Sequence, residues 1–294
     1  KLLGVKIGDY EMSSTNKYYL SGVQLMMLPE NFTQEEFNRV IQEISTLLKT
    51  TRNKKILIKH NLPVKPTMVG RVQEYERALK AINHTSQVLN IYGMPGIGKK
   101  TLANAIGHYY VDNNIYDMLI WINAEKKSLT LSDIIDQMAL ISGAQYLISM
   151  DQEEKEFAAL SLLQEKNCIF IINGFNNLLD ESPINFIKKL NFDDAVILTS
   201  DAPITSFDSM ERIHITGLTS DETKELALLE ASRIGLPGLE EAPLKMFQDL
   251  RRYTSGNPHA IKLSIGQVKS GMGFDRVILG LSKARGRVFE DIYS

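Results

Sequence analysis

Residues 93–101, which read Gly-Met-Pro-Gly-Ile-Gly-Lys-Lys-Thr, constrain the fold more than any other part of the chain. They follow an apolar stretch at 87–92 that predicts a strand, and they open a helical pattern over 99–110. A glycine-rich turn between a strand and a helix presents backbone N–H groups to phosphate oxygens, and the helix N-terminus and Lys99 add positive charge. The segment therefore predicts a phosphate-binding loop (P-loop) in a fold of the α/β class.

The pattern around this loop predicts a parallel sheet. Further strands are expected at 118–122, 168–172 and 195–199, with a helix at 132–140. The strands at 168–172 and 195–199 are continuous apolar runs without alternation, which is typical of strands covered by helices on both faces. We therefore predict a P-loop parallel sheet with helices on both faces.

The last part of the chain predicts a small all-α domain, because only helical periods follow residue 219. Thr219 and Glu222 stand at the spacing of a capping box, as do Thr33 and Glu36 near the start of the chain. The expected helices of the last part cover residues 220–234, 242–254, 258–270 and 274–284.

Four regions follow from these patterns. Residues 1–50 combine two short apolar strands with an amphipathic helix, and they are interpreted as the end of an N-terminal α/β domain. Residues 51–66 carry several basic residues and no acidic one, which predicts a basic linker. Residues 67–217 are predicted to form the P-loop domain, and residues 218–294 the helical domain.

Composition excludes several classes of protein. The chain of 294 residues is 44% hydrophobic and 23% charged, an ordinary balance for a folded globular protein. No apolar run reaches about 18 residues, so we expect no membrane partner. A net charge of −2 provides no overall attraction to nucleic acid. The lone Cys168 lies in an apolar run and fits a reducing compartment, so we expect a cytoplasmic location.

Three positions depart from the metal site of a P-loop hydrolase. Lys100 follows Lys99, where such enzymes carry a hydroxyl that binds Mg²⁺, and Asn173 stands where a strand would end in a carboxylate. Asp201 follows the next strand, where a basic residue could contact a γ-phosphate, whereas the carboxylate of Asp201 would repel one. A cation about 4 Å from Mg²⁺ costs several kcal/mol even at an effective dielectric constant of about 20. We therefore predict no metal ligands, weak or absent Mg²⁺ and little or no hydrolysis, and we assign no catalytic residue.

Four segments, in order, carry a resemblance to a known family. Residues 68–71 read Met-Val-Gly-Arg, the P-loop follows, residues 119–124 read Leu-Ile-Trp-Ile-Asn-Ala, and residues 256–258 read Gly-Asn-Pro. Together they resemble the signal-transduction ATPases with numerous domains (STAND), in the NB-ARC form found in immune and cell-death regulators. The resemblance extends over residues 66–290.

The resemblance implies a switch that binds ADP or ATP. Val69 and Arg71 would lie along the adenine and ribose, and Pro258 would close over the base from the helical domain. In the family, bound ADP holds a closed state, and exchange for ATP permits opening and association with other copies. The loop residues predicted to contact the nucleotide are Gly93, Gly96, Ile97, Gly98, Lys99, Lys100 and Thr101.

Position in the chain adds two expectations. Placed before an NB-ARC unit, residues 1–50 resemble the end of a TIR domain, although a packing extension of the nucleotide domain is the alternative. In relatives a segment like 284–291 leads into a winged-helix domain, so we interpret the chain as part of a longer protein with sensor and effector regions of unknown kind.

Two other functions stay open from the residues alone. An active ATP hydrolase could use Asp180 or Asp201 as metal ligands. An interaction scaffold would have lost nucleotide binding altogether, leaving the P-loop as a relic.

Overall fold

The structure is a computed structural model that forms two compact units, residues 1–57 and residues 58–294. None of the helices in the described ranges is long and apolar enough to cross a membrane. The residues that the structure describes are 3–7, 24–28, 31–34, 36–41, 58–84, 86–125, 127–176 and 178–283.

Among its described residues, the first unit contains two parallel strands and a helical segment. Strand β1 (Leu3–Ile7) pairs with β2 (Gln24–Leu28) along its whole length. The helical segment begins after Thr33, whose N–H donates to Glu36 Oε2 at 2.8 Å and whose hydroxyl accepts from Glu36 N at 3.3 Å. This reciprocal pair confirms the predicted capping box. The rest of the expected helix lies outside the described residues, and the resemblance to a TIR domain stays a prediction.

The described part of the second unit is built on six parallel strands in the order β3-β5-β6-β7-β4-β8. All residues of β6 and β7 are buried, as their continuous apolar sequences predict. The strands are β3 (Lys59–His60), β4 (Val88–Tyr92), β5 (Met118–Asn123), β6 (Cys168–Asn173), β7 (Ala195–Ser200) and β8 (Met210–His214).

Helices cover both faces of this sheet, which confirms the predicted α/β architecture. Successive strand residues point to opposite faces, so Ile120 and Phe170 pack in one buried cluster while Leu119 and Ile169 pack in the other. Helices α3, α4 and α5 cover the first cluster, and α1 and α2 cover the second. The helices are α1 (Val72–His84), α2 (Lys99–Asp112), α3 (Leu131–Ser142), α4 (Gln152–Leu163) and α5 (Ser182–Lys188).

Between the sheet and residue 283, where the described residues end, four further helices form their own core. The capping box of Thr219 and Glu222 is present at the start of the first of them, as predicted. Phe247 and Ile261 are fully buried in this core, and Val69 from the segment before α1 joins the same cluster. The helices are α6 (Ser220–Ile234), α7 (Leu244–Thr254), α8 (Pro258–Lys269) and α9 (Phe274–Lys283).

The structure differs from the prediction at residues 58–66, which were expected to belong to the basic linker 51–66. Strand β3 pairs with β5 at the edge of the sheet. The Asn61 side chain bonds the backbone of Trp121, accepting from its N–H at 2.7 Å and donating to its carbonyl at 2.9 Å. These contacts join residues 58–66 to the nucleotide domain. A two-residue edge strand without an apolar run leaves little trace in the sequence. Residues 51–57 lie outside the described residues.

Candidate functional site

The P-loop lies at the carboxyl edge of the sheet, between β4 and α2. Gly96 and Gly98 have φ angles of 73° and 106°, in the left-handed region that favours glycine. A Cβ atom at Gly96 would also lie 2.8 Å from the Cβ of His259. Gly98 is the N-cap residue of α2 and offers no side-chain acceptor. The first N–H groups of α2 are therefore not capped by a side chain of the N-cap residue, which is the arrangement that suits an anion.

A cavity of about 480 Å³, here called the larger cavity, opens on this loop. Its walls come from the loop, from the residues that follow β5, β6 and β7, and from the start of α8, so a ligand inside it would contact both the sheet and the helical part. The lining residues outside the loop are Ala124, Glu125, Asn173, Gly174, Asn176, Thr199, Asp201, Pro258, His259 and Lys262.

Lys99 is nearly buried and donates three hydrogen bonds. Its ammonium group contacts the carbonyl oxygens of Gly93 at 2.7 Å and Met94 at 3.1 Å. The third bond reaches Asp201 Oδ1 at 2.7 Å. Asp201 was predicted to repel a γ-phosphate, and the structure shows that it is also the counter-ion of the P-loop lysine.

Lys100 points toward the strand end after β5. Its ammonium group lies 3.3 Å from Glu125 Oε2, and both side chains are about half exposed. Lys100 therefore lines the larger cavity as a cation paired with a carboxylate. Thr101 lines both this cavity and the smaller one described below.

Asn173 is fully engaged in a neutral hydrogen-bond network at the end of β6. Its Oδ1 accepts from the Thr199 hydroxyl at 2.9 Å, and its amide donates to Asn123 Oδ1 at 2.8 Å. The Thr199 hydroxyl in turn accepts from Gly174 N at 2.9 Å. The side chain at this position is therefore a structural link between strand ends and supplies no negative charge to the cavity.

The two carboxylates suggested as metal ligands for a hydrolase lie in different places. Asp201 lines the larger cavity, whereas Asp180 is outside its lining and accepts from Ser182 N at 2.8 Å next to α5. Asp180 is thus removed from the candidate site. Within the described ranges, no group of three or more His, Cys, Asp or Glu side chains is arranged to hold a metal ion.

A second, smaller cavity of about 50 Å³ brings Val69, Arg71 and Pro258 together. It is lined on the loop side by Ile97 and Gly98. This grouping places the residues predicted for the nucleoside next to those predicted for the phosphates. The remaining wall is formed by the apolar side chains of Met68, Leu218 and Leu226 and by Thr67, Thr101 and Lys262.

Arg71 holds the P-loop backbone. It is 7% exposed and has a φ angle of 67°, an uncommon conformation for a residue with a side chain. One guanidinium nitrogen donates to the Ile97 carbonyl at 3.1 Å and another lies 3.2 Å from Glu74 Oε1. The guanidinium therefore fixes the loop at the boundary of the two cavities.

The helical part is tied directly to the loop by two hydrogen bonds. The Asn257 side chain donates to the Pro95 carbonyl at 2.9 Å, and His259 N donates to the Gly96 carbonyl at 3.3 Å. Asn257 also caps α8, accepting from the N–H groups of His259 and Ala260. Asn257 was not among the predicted site residues, although an asparagine directly before Pro258 is a typical N-cap signal.

Two further lining residues, Glu125 and Lys262, carried no sequence signal, because each stands outside a recognisable motif. Gly93, which was predicted to contact the nucleotide, lies outside the lining of both cavities. A Cβ atom there would lie 2.6 Å from the Ile215 carbonyl, so this glycine serves the close approach of two backbone segments.

Comparison with known proteins decides the family. Residues 65–227, more than half of the chain, match the NB-ARC domain. The chain belongs to the NB-ARC family. It therefore contains a nucleotide-binding module of the P-loop type, as its resemblance implied.

The NB-ARC chain is similar to parts of much longer proteins. It is 27% identical over 234 residues to the transcription activator GutR of Bacillus subtilis, covering 71% of this chain and 28% of GutR. It is 26% identical over 208 residues to the disease resistance protein RRS1 of Arabidopsis thaliana, covering 66% of this chain and 15% of RRS1. The chain thus spans less than a third of either relative.

A solved structure supports the fold of this NB-ARC module. Cdc6p of Pyrobaculum aerophilum aligns with a TM-score of 0.54 at 16% identity, over 72% of this chain and 65% of that chain. At this level of identity the likeness concerns the fold alone.

Proposed function

We propose that the NB-ARC module binds ADP or ATP as one extended ligand held between the P-loop and the helical part. The observation that carries this proposal is that the two cavities share part of their wall. The phosphates would occupy the larger cavity at the helix N-terminus. The nucleoside would lie against the more apolar residues of the smaller cavity, whose walls would have to move apart to admit it, because a volume of about 50 Å³ is well below that of a typical ligand site. The shared residues are Ile97, Gly98, Thr101, Pro258 and Lys262.

We further propose that binding needs little or no Mg²⁺ and that hydrolysis is deficient. Asn173 supplies no carboxylate where a P-loop hydrolase holds its metal, and Lys100 puts a cation where the metal-binding hydroxyl would stand. A cation in that position opposes a divalent metal and can itself neutralise phosphate charge. The ammonium groups of Lys99 and Lys100 would take over part of the role of the metal.

The nucleotide would act as a switch. Asn257 and His259 connect α8 to the loop, so a bound nucleotide would stabilise the closed arrangement of the two parts. Release or exchange would permit opening and association with other copies, and would control an N-terminal effector of TIR-like kind. The names of GutR and RRS1 place relatives in gene activation and disease resistance, so we propose a role in signalling or immunity for the longer protein.

The first experiment is to denature the purified protein and separate any released nucleotide by ion exchange. Stoichiometric ADP or intact ATP is expected. A melting experiment with added ADP or ATP follows, because a ligand that binds only the folded state raises the melting temperature. Lys99→Ala should abolish this rise, since it removes the cation nearest the loop, while Lys245→Ala on the exposed side of α7 should leave it unchanged.

A second candidate, an active hydrolase, is favoured by one observation. Glu125 and Asp201 are carboxylates that line the larger cavity. Steady release of phosphate from ATP that is lost in Lys99→Ala would establish this activity and would refute the proposed deficiency in hydrolysis. No released nucleotide together with a melting temperature that millimolar ADP and ATP leave unchanged would refute nucleotide binding and favour a scaffold.

A further inference from the structure

Both lysines of the P-loop are paired with carboxylates from neighbouring strand ends. Lys99 Nζ lies 2.7 Å from Asp201 Oδ1, and Lys100 Nζ lies 3.3 Å from Glu125 Oε2. Both carboxylates line the larger cavity. A phosphate group in this cavity would carry the same sign of charge as the carboxylates and would need the same N–H donors.

Lys99 has no spare donor for a phosphate. An ammonium group offers three N–H bonds, and those of Lys99 are used by the Gly93 carbonyl, the Met94 carbonyl and Asp201. A phosphate oxygen must therefore replace one of these acceptors. Asp201 is the charged one, and its carboxylate, whose side chain is 50% exposed, would also repel an incoming phosphate because both are negative.

Asp201 is held in this position from its other side. Its Oδ2 accepts from the Asn176 amide at 2.8 Å, and its backbone N–H donates to Asn176 Oδ1 at 2.7 Å. This reciprocal pair joins the loops after β6 and β7. The carboxylate is thus fixed beside Lys99 with a donor on each oxygen. Glu125 is less constrained, because it and Lys100 are both about half exposed and their contact is longer.

We propose that Asp201 and Glu125 lower the affinity of the site for nucleotide by competing with the phosphates for Lys99 and Lys100. This inference rests on the proposed nucleotide binding and names the residues that set its strength. The two carboxylates act as internal counter-ions and not as metal ligands. Asp201 has the larger effect, because its partner is the more buried lysine and its position is fixed by Asn176.

Calorimetric titration with ATP and with ADP, in EDTA and in Mg²⁺, tests this competition. Asp201→Asn and Asp201→Ala should each tighten binding in EDTA by about threefold to tenfold, and Glu125→Gln by about twofold. Glu153→Gln removes the same charge from the exposed first turn of α4 and should change neither affinity. Melting temperatures of the variants confirm that each one folds.

The possible results separate the inference from the proposed function. Folded Asp201 variants that bind nucleotide as the wild type does, or more weakly, would overturn the competition while leaving nucleotide binding in place. A tenfold tightening of the wild type by Mg²⁺ that disappears in Asp201→Asn would make Asp201 a metal ligand and would also overturn it. Absence of binding by the wild type and all variants would refute the proposed function itself.

Discussion

The two cavities that meet at Gly98 are built by different means. The larger one is lined by charged side chains from separate strand ends, and the loop lysines Lys99 and Lys100 each already contact a carboxylate. The smaller one is lined mainly by apolar side chains, together with Lys262, two threonines and the buried Arg71, whose guanidinium donates to the loop backbone. Affinity in the larger cavity therefore depends on competition between charges, whereas affinity in the smaller one depends on shape and burial.

The contrast has a consequence for how substitutions act. Charged groups at the larger cavity can change affinity with little effect on stability, because several of them are partly exposed. Three residues of the smaller cavity, Val69, Leu218 and Leu226, belong to the helical core, so their replacement should change affinity and stability together.

The largest effect is expected at the boundary of the two cavities. Gly96→Ala forces a side chain into a left-handed conformation and toward His259, at a cost of about 1–3 kcal/mol. The substitution should separate the loop from α8 and weaken the binding of ADP and ATP by about tenfold or more. Gly266→Ala is the matched control, because a Cβ there meets nothing within 4 Å in the interior of α8. The control should keep its affinity for nucleotide, and its free energy of unfolding should rise by up to about 1 kcal/mol. Titration and melting measure both quantities; equal behaviour of the two variants would refute the role of this boundary.

A smaller effect is expected within the smaller cavity. Val69 is 8% exposed and packs in the helical core, so Val69→Ala should reduce the free energy of unfolding by about 1–2 kcal/mol. The same substitution should weaken the binding of ADP and of ATP by the same factor, about threefold, because both ligands contain the same nucleoside. Val72→Ala, at a position 62% exposed, is the control and should change neither quantity. A loss confined to ATP would show that Val69 senses phosphates, and the division between the cavities would then fail.

The smallest effect on binding is expected at Asp194, which precedes β7 at the opposite edge of the sheet. Asp194 is buried, and burial raises its pKa from 3.8 to about 6 although its carboxylate accepts from the N–H groups of Cys168 and Asn191. The sequence offered no sign of this burial, since the residue stands beside the exposed Asp193.

A raised pKa means that the folded state disfavours the ionised form of Asp194. Its contribution to stability should therefore rise as the pH falls from 7 through 6 toward 4, by about 2 kcal/mol. Denaturant unfolding across this range measures how the free energy of unfolding depends on pH in the wild type and in Asp194→Asn. Asp193→Asn is the control, and it should keep most of the pH dependence of the wild type. Nucleotide affinity should be the same in all three. Parallel pH profiles of wild type and Asp194→Asn would contradict the assignment.

Much of the fold followed from the sequence. The continuous apolar runs at β6 and β7 predicted a buried parallel sheet, because a strand covered on both faces needs apolar residues at every position. The helices after residue 219 followed from their period. The edge strand β3 did not, because two residues paired on one side leave no periodic pattern.

For the candidate site, the sequence by itself determined the local parts. The P-loop, its position between a strand and a helix, and the neutral side chain of Asn173 are properties of contiguous residues, and local conformation follows from contiguous sequence. The two capping boxes are of the same kind.

Only the tertiary structure decided which distant residues face the P-loop. Glu125, Asp201 and Asn257 lie far apart in the chain and meet there because parallel strands end at one edge of the sheet and α8 packs against that edge. The pairing of Lys99 with Asp201 depends on distances between residues about a hundred positions apart, which no local pattern encodes. The charge balance of the larger cavity is therefore a property of the packed molecule, set by contacts that form only when the sheet and the helical part come together.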